Sequence, residues 1–245
     1  MNSPNALCLP DTRIPWFKNL ALRYVRKRVR NELDGLWVNG LETSKALCQD
    51  GPVIFAPNHV AWWDSMLLLC LEDALMSDGF AIMDQNNLKK LPFFKWLGAI
   101  GIQKSKPKQA IKDLRRAAEV LTGPRRSLWI FPQGYQRPSH LRPLKFKAGV
   151  VKLARWTQCP VVPVSIQYAY REAEVPSACF HFGSPLSHDE PELLTQLEHA
   201  VENGLSEIDR FLEGENHFTP LIQPRPFRSS EGLGARILAF LAEAA

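Results

Sequence analysis

From residue 36 to residue 212 this chain alternates short apolar runs with helically spaced apolar positions, and that alternation limits its fold more than any other feature. The runs predict strands over 36–38, 52–56, 80–83, 99–103, 127–131, 161–167 and 179–182, with β-branched residues dense in the sixth. The helical spacing predicts helices over 64–76, 108–121, 146–157 and 191–212. Gly123-Pro124 stops the second of these, and Pro191 sits in the first turn of the last, where a missing N–H is tolerated. Residues 88–97 form a helical stretch broken at Pro92. Strands alternating with helices imply an α/β domain: a single mixed sheet flanked by helices.

The two ends differ from the body. Residues 1–12 carry little pattern. In 13–31, Trp16, Phe17, Leu20, Ala21, Tyr24, Val25 and Val29 follow helical spacing, with seven cations and no acid. Such a helix either lies in a membrane interface or packs on the domain with a solvated basic face. Clustered cations without acids favour the interface, with Trp16 and Phe17 inserted and Lys18, Arg23, Arg26, Lys27 and Arg30 on anionic head groups. The expected division is 1–34 as a basic amphipathic membrane-surface helix, 35–213 as the main domain, and 214–245 as a connector ending in a helix over 233–244.

The net charge of +5 suits an anionic partner, and no base-reading motif accompanies it, so nucleic acid is not expected. Five scattered cysteines, with no CxxC pair, argue against a disulfide framework or a zinc site, and no metal is expected. No secretory pattern and no apolar run of the ~18–20 residues that span a bilayer appears. The expected location is therefore peripheral, on the cytoplasmic face of a membrane.

The chemistry concentrates in Ala56-Pro57-Asn58-His59-Val60-Ala61-Trp62-Trp63-Asp64, between a predicted strand and a predicted helix. On one continuous helix, residues five apart diverge by about 140°. A strand-to-helix turn can instead fold the His59 imidazole back onto the Asp64 carboxylate, and Asn58 or Asp64 can cap the helix. That pair suits base-assisted acyl transfer: imidazole takes a proton from an attacking hydroxyl, and the carboxylate orients the ring and steadies the imidazolium. The spacing alone equally describes a capped helix beside a structural histidine. The other histidines, at 140, 181, 188, 199 and 217, have no Asp five residues on and read as structural or surface residues.

Four ordered blocks then give the chain a resemblance to the PlsC-like glycerolipid acyltransferases, the lysophosphatidic acid acyltransferases and their relatives. Asn58-His59…Asp64 matches their NHxxxxD block. Leu88-Lys89-Lys90-Leu91-Pro92-Phe93-Phe94, followed by 97–105, resembles the second, with Lys104 where an Arg is usual. Phe131-Pro132-Gln133-Gly134-Tyr135-Gln136-Arg137 resembles FPEGTR. Phe146-Lys147-Ala148-Gly149 and Val162-Pro163-Val164-Ser165-Ile166 match the fourth. Together they span about 36–167.

The resemblance implies a glycerol-3-phosphate acyltransferase-like fold with a groove for the acyl chain. It implies an O-acyltransferase of lipid metabolism, like the 1-acylglycerol-3-phosphate acyltransferases of phospholipid biosynthesis. His59 would be the general base and Asp64 its orienting partner. Asn58, Lys104, Gln133, Gly134, Tyr135 and Arg137 would bind the acceptor, and N–H groups beside Gly134 would face the oxyanion. Acyl-CoA or acyl carrier protein would be the co-substrate, with no bound cofactor. The third block departs from the pattern: Gln133 replaces Glu, Tyr135 replaces Thr, and Gln136 replaces Arg. Losing the Arg fork weakens a phosphate grip. The altered block suits a less charged acceptor, such as a glycolipid or carotenoid glycoside, at least as well. Two rivals stand beside this reading: a hydrolase, which lacks a GxSxG elbow here, and a non-catalytic lipid-binding protein.

Overall fold

The structure, a computed structural model, describes residues 12–171, 173–215 and 217–224. Helix α1 (Pro15–Glu32) leads into β1 (Leu36–Asn39), α2 (Leu41–Asp50), β2 (Val53–Pro57) and α3 (Trp62–Leu75). There follow β3 (Asp78–Asp84), α4 (Gln85–Lys90), a 3-10 turn (Pro92–Leu97), β4 (Ala99–Ile102), α5 (Pro107–Ala118) and β5 (Arg126–Trp129). The chain then runs through α6 (Gly149–Thr157), β6 (Val161–Ala169), β7 (Ser177–Phe182), α7 (Leu193–Leu212) and β8 (Thr219–Ile222). The strands form one mixed sheet in the order β4-β3-β5-β2-β6-β7-β1-β8. This is the expected α/β architecture.

Alternation along the strands builds a core on each face of the sheet. On β2, Val53 and Phe55 join the cluster under α1, α2 and α3, while Ile54 and Ala56 join the cluster under α5, α6 and α7. Strands β2, β3, β4, β5 and β6 are linked by parallel pairings; the central β2 and β5 and most of β6 are buried on both faces, so they read as apolar runs rather than alternating ones, while β3 and β4 toward the edge are mostly half-buried. The parallel pairings have a functional consequence. The C-terminal ends of these five strands lie on one edge of the sheet, and loops leaving that edge are where α/β sheets place their sites.

Two features differ from expectation. Within the expected connector, β8 adds an antiparallel edge strand to β1. Pro220 is tolerated there because an edge strand needs only one row of hydrogen bonds. Helix α2 was not foreseen; it buries only Leu41, Ser44 and Cys48. Helix α1 packs on α3 and buries Leu22, Val25 and Val29, which is one of the two readings that its sequence allowed. The helix expected over 233–244 lies outside the described residues.

Candidate active site

Strand β2 ends at Pro57, and α3 begins only at Trp62 with Ala61 as its N-cap. The intervening turn carries His59. Asp64 is therefore the third residue of α3, not its cap, yet it does a cap's work. Its Oδ2 accepts from the N–H groups of Val60 (2.6 Å) and Ala61 (3.0 Å), two of the donors that a helix start leaves open. The same oxygen lies 2.7 Å from His59 Nδ1. The other oxygen, Oδ1, accepts from the Tyr168 hydroxyl at 2.7 Å. Asp64 is fully buried, and every polar partner around it is a donor matched to a carboxylate.

With Nδ1 held by a carboxylate, His59 leaves Nε2 without a partner among the described residues. The imidazole also lies against the Phe131 ring, with centroids 4.3 Å apart. It lines a cavity of about 670 Å³ with Trp62, Lys104, Gly134, Tyr135 and Gln136. A second space of about 290 Å³, floored by Ile102, Leu114, Ile130 and Val150, shares Lys104, Phe131 and Gly134 with it. A narrow apolar crevice of about 50 Å³ between α3 and the sheet shares Ser65 and Phe94.

Tyr168 was not foreseen. It lies at the end of β6, 104 residues from Asp64. Burial, with the Asp64 carboxylate adding to it, holds its phenol well above the ordinary range, so the hydroxyl keeps its proton and donates.

The acceptor residues expected from the motifs separate into two groups. Lys104, Gly134 and Tyr135 border the cavity, as does Gln136, which was not among the residues expected there. Asn58 does not: it is 1% exposed, its Nδ2 donates to Ile166 O (2.9 Å) and its Oδ1 accepts from Ile166 N (2.7 Å), pinning the end of β2 to β6. Gln133 does not either. It is 1% exposed, with Oε1 accepting from His59 N (2.6 Å) and Nε2 donating to Leu144 O (3.0 Å). A buried amide used at both ends braces the His59 turn and has no group left for a ligand in the cavity. Arg137 is also turned to structural use. Its N–H donates to His59 O (2.7 Å), its guanidinium donates to Pro143 O, and it does not line the cavity.

Lys104 Nζ donates to Gly134 O (2.7 Å) and lies 3.8 Å from Asp84 Oδ2. Burial lowers its pKa, Asp84 raises it, and Lys147 lowers it. Gly134 adopts a φ of +75°, in the left-handed region that favours glycine. Its own N–H donates to Phe131 O (3.0 Å); the groups expected to face the oxyanion are its neighbours'. The N–H groups of Tyr135 and Gln136 have no partner among the described residues and border the same cavity.

On α1, Trp16 is 66%, Leu20 55% and Tyr24 53% exposed, while Phe17 is half-buried against the rings of Phe93 and Trp96. Arg23, Lys27 and Arg30 are exposed, Lys18 is partly covered, and Arg26 pairs with Asp73 at 2.7 Å. No helix among the described residues is long and apolar enough to cross a membrane. No cluster of metal-ligating side chains occurs among the described residues.

Comparison with known proteins adds to this geometry. The chain is 31% identical over 120 residues to the 1-acyl-sn-glycerol-3-phosphate acyltransferase of Saccharomyces cerevisiae, a match covering 47% of this chain and 38% of that protein. It is 24% identical over 190 residues to an uncharacterized acyltransferase of Schizosaccharomyces pombe, covering 70% of this chain and 66% of the relative. The chain thus spans less than two thirds of either relative's length. Its fold matches the crystal structure of the 1-acyl-sn-glycerophosphate acyltransferase PlsC from Thermotoga maritima with a TM-score of 0.58, at 21% identity over 80% of this chain and 82% of that one. A family model described as Acyltransferase matches residues 36–167, which run from β1 through most of β6 and include every residue of the His59–Asp64 turn. With over half of its length matched, the chain belongs to the acyltransferase family.

Proposed function

We propose that the protein transfers a fatty acyl group from an acyl thioester, on CoA or acyl carrier protein, to a hydroxyl of a lipid, the reaction class named for its yeast relative. The observation that carries this reading is His59 held at Nδ1 by a buried, fully hydrogen-bonded carboxylate, with the ring lining a cavity.

In the proposed reaction the acceptor hydroxyl gives its proton to His59 Nε2 as its oxygen bonds to the thioester carbonyl carbon. Asp64 steadies the imidazolium, and the Tyr135 and Gln136 N–H groups are the donors available to the oxyanion. The C–S bond then breaks and the imidazolium returns its proton to the departing sulfur. The products are an ester and a free thiol. The apolar space of about 290 Å³ beside the cavity receives the acyl chain. Asn58, Gln133 and Tyr168 act as positioning residues that hold the turn and the carboxylate.

The reading includes a membrane. Trp16, Leu20 and Tyr24, exposed on the same basic helix, favour a lipid surface over bulk water, and a lipid acceptor is reached there. A non-catalytic lipid-binding role needs Asp64 only as the cap on the Val60 and Ala61 N–H groups, and leaves its contact with His59 Nδ1 beside an open cavity without a use. The test supplies the purified chain with labelled acyl-CoA and lipid hydroxyl acceptors in mixed micelles. Ester and thiol should form in equal amounts. Thiol released without ester would mark a hydrolase, and no release on any acceptor would refute acyl transfer.

A further inference from the structure

We infer that the mouth of the cavity faces the bilayer, and that residues 89–96 form a second membrane-contacting element beside α1. The inference rests on the acceptor being a lipid and concerns how that lipid reaches His59.

Pro92 ends α4 and starts the 3-10 turn. None of the turn's six residues, Pro92–Leu97, is fully buried, although four are large and apolar. Leu91, Phe93 and Trp96 are 37–43% exposed, with Lys89, Lys90 and Lys95 exposed between and beside them. Apolar side chains that hold a fold together are covered by it; a cluster of uncovered ones marks a surface that meets something less polar than water.

The cluster is continuous with α1 and with the cavity. The Phe17 ring lies 5.2 Å from that of Trp96 and 6.3 Å from that of Phe93, which stacks on Phe94 at 4.6 Å. Phe94 and Leu91 border the cavity. Farther along α1, the Arg28 guanidinium lies 5.9 Å from the Tyr24 ring and 5.4 Å from that of Trp62, which is 50% exposed and borders the cavity too. Both ends of the exposed row on α1 therefore lead to the same mouth. A lipid entering there passes along apolar surface toward His59, without its chain crossing water.

Charge selects the partner. Segments 13–31 and 85–112 carry cations and no acid, and Asp73, beside α1, is paired with Arg26. Arg23, Lys27 and Arg30 on α1 are exposed, as are Lys89, Lys90 and Lys95. Cations set beside exposed aromatics match an anionic leaflet: the rings enter the interface and the cations stay with the head groups.

The test uses vesicles of phosphatidylcholine alone and of equal parts phosphatidylcholine and phosphatidylglycerol. It compares the wild-type chain with Phe93→Ser/Trp96→Ser and with Lys89→Ser/Lys95→Ser. None of these four residues borders the cavity, and both lysines are exposed, so the lysine variant folds even where loss of the rings beside Phe17 unsettles the other. Each variant should bind the anionic vesicles more weakly, by about tenfold or more. Turnover of a lipid acceptor held in those vesicles should fall by about tenfold, while turnover of a short-chain acceptor dissolved as monomers stays within about twofold. Unchanged vesicle binding in both variants would overturn the inference and leave acyl transfer standing. So would equal losses on both acceptors, which would place these residues in the catalytic fold, or a wild-type dimer that both variants dissociate, which would make this face a contact between copies of the chain. No turnover by wild type on either acceptor would refute acyl transfer, with vesicle binding still deciding the inference.

Discussion

Asp64→Asn separates the two jobs of the buried carboxylate. Asn can enter in two orientations. With its amide nitrogen in place of Oδ2, it faces three donors: the Val60 and Ala61 N–H groups and His59 Nδ1. With its nitrogen in place of Oδ1, it meets only the Tyr168 hydroxyl, which can turn to accept. The second orientation wins, so the helix cap and the ring's tautomer survive. Hydrogen bonds to a neutral oxygen are roughly half as strong as those to a carboxylate, and a buried charge is no longer desolvated; the net loss of stability should be about 1–2 kcal/mol. Catalysis loses more, because no charge remains to steady the imidazolium. Turnover should fall by about 10²–10⁴, or roughly 3–5 kcal/mol of barrier. The assay is thiol release from acyl-CoA with saturating acceptor, alongside urea denaturation. A variant that folds and keeps more than about a tenth of wild-type kcat would show that Asp64 is a cap and not the charge partner.

Tyr168→Phe should fold with a loss of about 1 kcal/mol and lower kcat several-fold with KM nearly unchanged, since it frees one oxygen of Asp64 without touching substrate; an unchanged kcat would remove it from the site's support. Gln133→Glu restores the residue of the resembled motif but sets a carboxylate against Leu144 O, so urea denaturation should show a loss of about 1–3 kcal/mol. Replacing Trp16, Leu20 and Tyr24 together with Ser should weaken binding to anionic vesicles while leaving the melting midpoint in place, because all three are exposed. Burial pushes the thiols of Cys48, Cys70 and Cys179 up to about 12, so they should resist thiol reagents at pH 8 until the protein unfolds. With folded values raised above 9, their contribution to stability is complete below pH 9 and is lost as pH rises toward 12, which thermal melts across that range would show.

The parts of the site legible in the sequence are those fixed by local geometry. His59 and Asp64 lie five residues apart across one strand-to-helix turn, so spacing offered their meeting as one of two readings and the four ordered blocks chose it. Tyr168 was hidden because its meeting with Asp64 depends on β6 pairing beside β2, a register that no local pattern reports. Asn58 and Gln133 were noticed for their motifs and expected at the acceptor, whereas both are buried away from the cavity. Which way a polar side chain points is decided by packing, and both turn inward onto backbone groups of other segments. For the fold, buried parallel strands announce themselves as apolar runs. Strand β8 does not, since Thr219-Pro220-Leu221-Ile222 is short, contains proline and joins β1 from the far end of the chain. Helix α1 has cations and exposed aromatics on one side and Leu22, Val25 and Val29 in the core on the other. The sequence offered these as alternatives, and the helix is packed on the body while Trp16 and Tyr24 stay exposed and Phe17 is half-buried.

The central claim is that His59 is the base that makes a lipid hydroxyl attack a thioester. Thiol release and ester formation by wild type and His59→Ala, each with and without acceptor, test it most directly. Acceptor-dependent release matched by ester is expected in the wild type, and a loss of about 10³-fold or more in a variant that still folds. Release that is independent of acceptor, or equal in the variant, would contradict it.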